Sequence, residues 1–172
     1  MANQHTHTCG IAAMMNIFGD RWTWLLVREA FYGASRFTEF QRNTGASRNI
    51  LTDRLSALVE NGIFQEIEVG MRGKRTAYGL TEKGRALLPV MVAMGQWANT
   101  YEYGAGKEPV LQVSSETGRP LQSLRFFDDA ETEIPVEKLS PRPGPGASSA
   151  TLRRLREINA DRNYVSVVSD PS

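Results

Sequence analysis

Two clusters in this 172-residue chain have the residue types and spacing to act on another molecule. Ser47, Arg48, Asn49, Thr52 and Arg54 lie close together, and Arg72, Lys74 and Arg75 follow as a knot of cations with no acid among them. An arginine fork matches the O6 and N7 acceptors of guanine, and an asparagine amide matches the N6 and N7 edge of adenine. Cations and hydroxyls also suit phosphate oxygens. The chemistry on offer is therefore recognition of a polyanion with readable base edges. Catalysis finds no comparable set. Both histidines stand at positions 5 and 7, so no histidine-based triad can be assembled, and no phosphate-cradling glycine loop is present. An enzyme is not expected, and neither is a cofactor.

Two further groups have open readings. Cys9 is the only cysteine, so a response to oxidant could take only the form of an intersubunit disulfide or a mixed adduct. The bland reading is a small apolar residue. His5, His7 and Cys9 have metal-like spacing but lack a fourth ligand, so no metal site is expected. Trp22, Trp24, Met91, Met94 and Trp97 could wall a pocket for an apolar or aromatic small molecule; at helical spacing they equally suit core or a dimer interface.

Several local elements must position these residues. The apolar stretch Ile11 to Phe18 reads as a helix between Thr8 as cap and Gly19 as stop. Asp20 caps RWTWLLVREAFY, which ends at Gly33. Thr38 and Gln41 have capping-box spacing for a short helix EFQRN, with Phe37 as its staple. Ser47 caps a longer helix from Arg48 to Asn61, stopped by Gly62. Its apolar positions Leu51, Leu55, Leu58 and Val59 form one stripe, and a step of about 100° per residue turns Asn49, Thr52, Asp53 and Ser56 outward or to the flank. Residues 63–69 and 75–80 alternate imperfectly around GMRGK and predict a hairpin with a basic tip. Thr81 caps a long helix that carries Pro89 inside it, which must kink it or mark its true start. Beyond Gly104, VLQV and LQSLRFF flank a turn as short strands, with IPVEKL as a third; SPRPGPGASS is a linker, and TLRRLREINADR a short helix.

Overall charge conceals this layout. The balance is 20 Lys+Arg against 19 Asp+Glu, a net +1. Residues 9–104 hold 11 basic and 9 acidic side chains, whereas residues 105–172 hold 9 and 10. The acidic extension thus masks a local cationic tip, and it is local placement that steers a polyanion. No apolar run approaches the roughly 18–20 residues needed to span a bilayer. The N-terminus lacks a signal sequence, and one thiol builds no intrachain disulfide; both fit a cytoplasmic protein.

Short helix, tight turn, longer helix and basic-tipped hairpin is the order of a winged helix-turn-helix. The segments GDRWTWLLVREAF, RFTEFQRNTGASRNILTDRLSALVENGIF and AYGLTEKGRALLPVM, preceded by Cys9, resemble the HxlR family of MarR-type transcriptional regulators across about residues 9–104. The resemblance implies a homodimer, held by the first helix and the long helix after the wing, on a partly palindromic double-stranded DNA operator. It places Arg48, Asn49, Thr52 and Arg54 in the recognition helix and Arg72, Lys74 and Arg75 in the wing. Cys9 falls where some members carry a sensing thiol. Arg54 keeps a second reading as a structural ion-pair partner. SSETGRPLQSL looks like the remains of a zinc-knuckle-type hairpin, without any cysteine or histidine to hold a metal.

The expected fold is therefore α+β: a winged helix-turn-helix with flanking dimerisation helices and a small β-rich C-terminal extension. Expected boundaries are a flexible 1–8, a DNA-binding and dimerisation domain 9–104, the extension 105–140, and a linker and tail 141–172. The expected function is a repressor released by a small molecule or by thiol modification. The alternative is a winged-helix protein- or small-molecule-binding module that does not bind DNA.

Overall fold

The structure, a computed structural model, describes residues 9–69 and 75–160. It divides into two compact units, one of them Met14–Leu121 and the other made of the described parts of Met1–Ala13 and Gln122–Ser172. His5, His7, the Thr8 cap and the wing residues Arg72 and Lys74 lie outside the described residues.

Unit Met14–Leu121 holds the expected order of elements. Helix α1 (Gly10–Phe18) leads into it, followed by α2 (Arg21–Phe31), α3 (Phe37–Thr44) and α4 (Arg48–Glu60). Asp20 caps α2 as its sequence position predicts: Oδ1 accepts from the N–H groups of Trp22 and Thr23 at 2.9 and 3.1 Å, and Oδ2 accepts from Thr23 Oγ1 at 2.6 Å. The strands β1 (Phe64–Val69) and β2 (Arg75–Leu80) pair antiparallel, with Phe64 opposite Leu80 and Val69 opposite Arg75. The core is one cluster in which Phe40, Leu51, Leu55, Leu58, Ile63 and Phe64 are all at most 1% exposed. The apolar stripe read on α4 is what buries that helix, with Val59 at its half-buried margin.

Helix α3 begins earlier than its sequence suggested. Arg36 is extended and forms a bridge with Ala77 of β2, while Ser35 O accepts from Tyr78 N–H at 2.7 Å. The helix starts immediately after that bridge, at Phe37. Glu39, not Gln41, then reaches back, its Oε2 accepting from the N–H groups of Ser35 and Arg36 at 2.9 and 3.0 Å. Thr38 and Gln41 are therefore ordinary helical positions, and Phe37 is the first helical residue, not a staple before the cap. The turn into α4 relies on Gly45, whose φ of 71° is strained for residues with a Cβ.

Thr81 caps a short α5 (Glu82–Arg85), accepting from Gly84 N–H at 3.0 Å while donating to Gly62 O at 2.6 Å. The single long helix expected after the wing is interrupted. Helix α6 (Leu88–Ala98) starts afresh with Pro89 in its first turn, where the missing N–H would have had no helical partner. A π-helical turn, Asn99–Tyr103, completes it.

The extension has less strand than expected. Val113, the end of VLQV, meets Pro120 in one bridge just before LQSLRFF, around a turn in which Ser114 N–H donates to Arg119 O at 2.9 Å. In the second unit, β3 (Phe126–Phe127) pairs with β4 (Glu133–Ile134), so the end of LQSLRFF and only the first residue of IPVEKL, with Glu133 before it, form a small sheet. A single 3-10 turn, Val136–Lys138, takes the place of a longer third strand, and α7 (Ser149–Ala160) closes the described chain.

Candidate nucleic-acid interface

Burying Leu51, Leu55 and Leu58 leaves α4 only one way to face. Ser47, Arg48, Asn49, Thr52, Asp53 and Ser56 are all exposed. Ser47 Oγ accepts from Ile50 N–H at a long 3.4 Å, so the cap holds the helix start while the first-turn N–H groups stay near the surface. Arg48 lies over the Phe37 ring, with Cζ 5.5 Å from the centroid, a stacked placement that steadies a long side chain beside the helix start. These residues carry donors and acceptors suited to base edges and phosphates on a single face.

Arg54 departs from that set. Its Nε lies 3.1 Å from Asp20 Oδ2, so the guanidinium joins the start of α2 to the middle of α4. The same carboxylate that caps α2 thereby orients the outward-facing helix. A second tie runs through α3: buried Glu29 accepts from Arg28 Nη2 at 2.7 Å and from Asn43 Nδ2 at 2.9 Å. The helices behind the face are thus joined by charged and polar bonds as well as by the apolar core.

The wing base adds a residue the sequence reading missed. Exposed Arg36 lines a cleft of about 340 Å³ with Phe37, Thr38, Val69 and Thr76, between the start of α3 and the strands of the wing. A cation directly before the first helix of the pair was the available sequence signal. Beside it, the two backbone donors on Glu39 hold its carboxyl below the ordinary value, because they favour the charged form. Burial, with Glu66 nearby, pushes the Tyr78 hydroxyl up; the ring stacks edge-on to Phe40 at 6.3 Å. Arg75 begins β2, and its backbone opposes Val69.

The remaining candidates separate spatially. Cys9 is exposed, and its Sγ accepts from Ala12 N–H at 3.2 Å. Trp24, Met91 and Met94 line one cavity of about 560 Å³, whereas Trp22 and Trp97 do not. Trp22 packs against the core with Arg21 4.8 Å over its ring. Trp97 is 58% exposed and stacks at 5.5 Å on Tyr101. The five residues thus divide on both helices: Trp24 and Trp22 of α2 take different surroundings, and Trp97 turns away from Met91 and Met94 of α6. Among the described residues, no group of three histidine, cysteine or acidic side chains is arranged to hold a metal ion, and no helix is long and apolar enough to cross a membrane.

A two-helix unit presenting a polar helix face, followed by a two-stranded wing, is the architecture of a DNA-binding winged helix-turn-helix transcriptional regulator. Residues 17–104 match the model of the HxlR-like helix-turn-helix family, and the chain belongs to that family. It is similar to Rv3095 of Mycobacterium tuberculosis, an uncharacterized HTH-type transcriptional regulator, with 33% identity over 136 residues, 79% of this chain and 86% of that protein. In three dimensions it resembles PA1607, a candidate transcription factor, at a TM-score of 0.74 and 34% identity over 81% of this chain and 97% of the other. PA1374 of Pseudomonas aeruginosa, another candidate transcription factor, aligns at a TM-score of 0.63 and 33% identity over 85% and 99% of the two chains. These likenesses cover more of the chain than its first 104 residues can supply, so they reach into the extension. The family is one of transcriptional regulators, not of enzymes.

Proposed function

We propose that the chain is a homodimeric repressor that binds a partly palindromic operator and is released by a small-molecule effector or by modification of Cys9. The observation that carries the DNA-contact assignment is the division of α4: leucines 51, 55 and 58 face the core, while Ser47, Arg48, Asn49 and Thr52 face out. In this reading Arg48 and Asn49 read base edges, Ser47 and Thr52 meet backbone or base groups, and Arg72, Lys74 and Arg75 contact phosphates from the wing. Arg54 serves mainly to set the angle of the helix through Asp20.

The dimer assignment draws on α6 and the turn after it. Val90, Met94, Trp97 and Tyr101 recur at three- and four-residue spacing and are 37, 46, 58 and 72% exposed. Such an apolar stripe suits a second copy of the same helix, and none of the residues of α6 is buried within one chain. Two recognition helices would then enter major grooves about 34–36 Å apart.

The decisive test is a gel-shift titration over a range of salt with DNA from upstream of the protein's own gene. Alanine at Arg72, Lys74 and Arg75 together should weaken binding on every sequence and, with both wings of the dimer altered, reduce the salt slope by about 5, roughly 0.9 per lost phosphate contact. An unchanged slope removes the wing from the interface. Repeating the titration with oxidant on wild type and Cys9→Ser separates the two routes of release: loss of oxidant sensitivity in the variant assigns the thiol.

A further inference from the structure

The cavity beside α6 has a wall that the helix-turn-helix family segment does not provide. One side is α2, with Trp24 and Phe31, and another is α6, with Met91 and Met94. The third is the arm Pro109–Val113, joined by Leu121, which lies beyond the family match at residue 104. The arm is fastened to the helix. Asn99 Nδ2, at the end of α6, donates to Val110 O at 2.9 Å, and within the arm Leu121 N–H donates to Gln112 O at 2.9 Å. Gly95 lets the arm come close: a Cβ there would stand 2.7 Å from Gln112 Nε2. The half-open cleft of about 560 Å³ lies within the size range of small-molecule sites. Its walls are predominantly apolar, and Arg28, the sole charged lining residue, is already paired with Glu29 at 2.7 Å.

We infer that this arm completes a binding site for an uncharged, ring-bearing apolar compound. The inference rests on the small-molecule branch of the function proposed above and gives that effector its chemical class. Neutrality follows from the pairing of Arg28, since an anion would have to compete with a carboxylate already in place. Ring character follows from the mixture of aromatic and methionine surfaces, which pack well on flat faces. The arm is the specificity element, because the helices alone would leave a groove open along that side.

The test uses the full chain, without DNA, and the neutral fluorophore N-phenyl-1-naphthylamine as probe. Saturable binding of one probe per chain, with enhanced fluorescence, is expected. Gly95→Leu fills the cavity and collides with Gln112, and should weaken binding at least tenfold. Val110→Asp, at a position 48% exposed in the arm, places a carboxylate in the wall with little demand on folding and should do the same. Thermal unfolding of both variants checks their integrity. Absence of saturable binding overturns the inference, as does undiminished binding by folded Val110→Asp. Probe release as chain concentration rises would assign the groove to a second copy and also overturn it. Failure of DNA binding would appear separately, in gel shifts without the probe.

Discussion

Asp20 carries two duties that can be separated by substitution. It caps α2 through Oδ1 and holds Thr23 and Arg54 through Oδ2. Asp20→Asn keeps the capping oxygen but turns Oδ2 into an amide NH2, so Arg54 loses its partner and the Thr23 hydroxyl must turn from donor to acceptor; the Arg54 and Asp20 side chains are 40 and 29% exposed. A pair this open to screening contributes about 0.2–1 kcal/mol, so the asparagine variant should lose about that much, with the Thr23 hydroxyl re-paired as acceptor of the amide N–H. Asp20→Ala also removes the cap, at about 1 kcal/mol, and leaves the buried Thr23 hydroxyl without its acceptor, at about another 1 kcal/mol. The alanine variant should therefore be about 2–3 kcal/mol less stable. For a chain of this size that corresponds to a fall of roughly 4–12 °C in Tm.

Urea unfolding of Asp20→Asn, Arg54→Met and the double variant gives the coupling between the two side chains. It should fall within the range of the pair alone and shrink in high salt. Operator titrations of Arg54→Met complete the experiment. If Arg54 orients α4 from behind, its loss lowers affinity while the salt slope stays put. If instead Arg54 contacts a phosphate, the slope drops by about 2 for the dimer, one contact per protomer, and the two substitutions add with no coupling. That combined result would refute the assignment of Arg54 as a positioning residue.

Three other outcomes are expected. Arg48→Ala should cost about 1–3 kcal/mol on the preferred operator and less on variants altered at one base pair, as measured by competition gel shifts; equal losses on all sequences would leave Arg48 a phosphate contact only. Trp97→Glu puts a charge in the exposed stripe of α6 and should shift sedimentation from dimer to monomer while leaving the fold intact, with operator affinity falling in step. Glu39 has a folded pKa below its ordinary 4.5, so its contribution to stability is complete above that value and is lost as pH falls through the lowered one. Glu39→Gln should accordingly flatten the decline of Tm on acidification below pH 4.5, and an unaltered decline would remove the Ser35 and Arg36 donors as its cause.

The winged-helix order was legible in the sequence because each element has a local signature. Asp20 and Ser47 cap where their side chains meet free N–H groups, and the leucine stripe of α4 fixes which face is buried. The start of α3 was misread because its determinant is not local. Residue 36 is drawn into an extended bridge by Ala77, forty-one positions away, and only then does Glu39 become the residue that can reach back. Thr38 and Gln41 satisfied a short-range pattern that this pairing overrode. The extension was overread for the opposite reason: alternating apolar residues such as those of VLQV resemble a strand, but with one bridge to Pro120 they instead lie along α6.

The site was legible to the extent that it follows from helix phase. Spacing from Leu51 turns Asn49 and Thr52 outward with no knowledge of the rest of the chain. Arg54 shares that helix and that charge, yet its placement depends on a carboxylate thirty-four residues earlier, which the packing of α2 on α4 sets beside it. The same limit governed the aromatic and methionine set. Periodicity put Met94 and Trp97 on one helix, but the cavity is defined by the arm after Gly104, which reaches Met94 and passes Trp97 by. Trp97 is left pointing outward in a stripe with Val90 and Tyr101, so the run from α6 into its final turn divides between the cavity wall and an exposed stripe. A substitution at Met94, which lines the cavity and is also 46% exposed in the stripe, should disturb both dimerisation and probe binding, whereas Trp97 should affect dimerisation alone. The sequence alone offered no reason to treat those two side chains differently; the course of the arm supplies it.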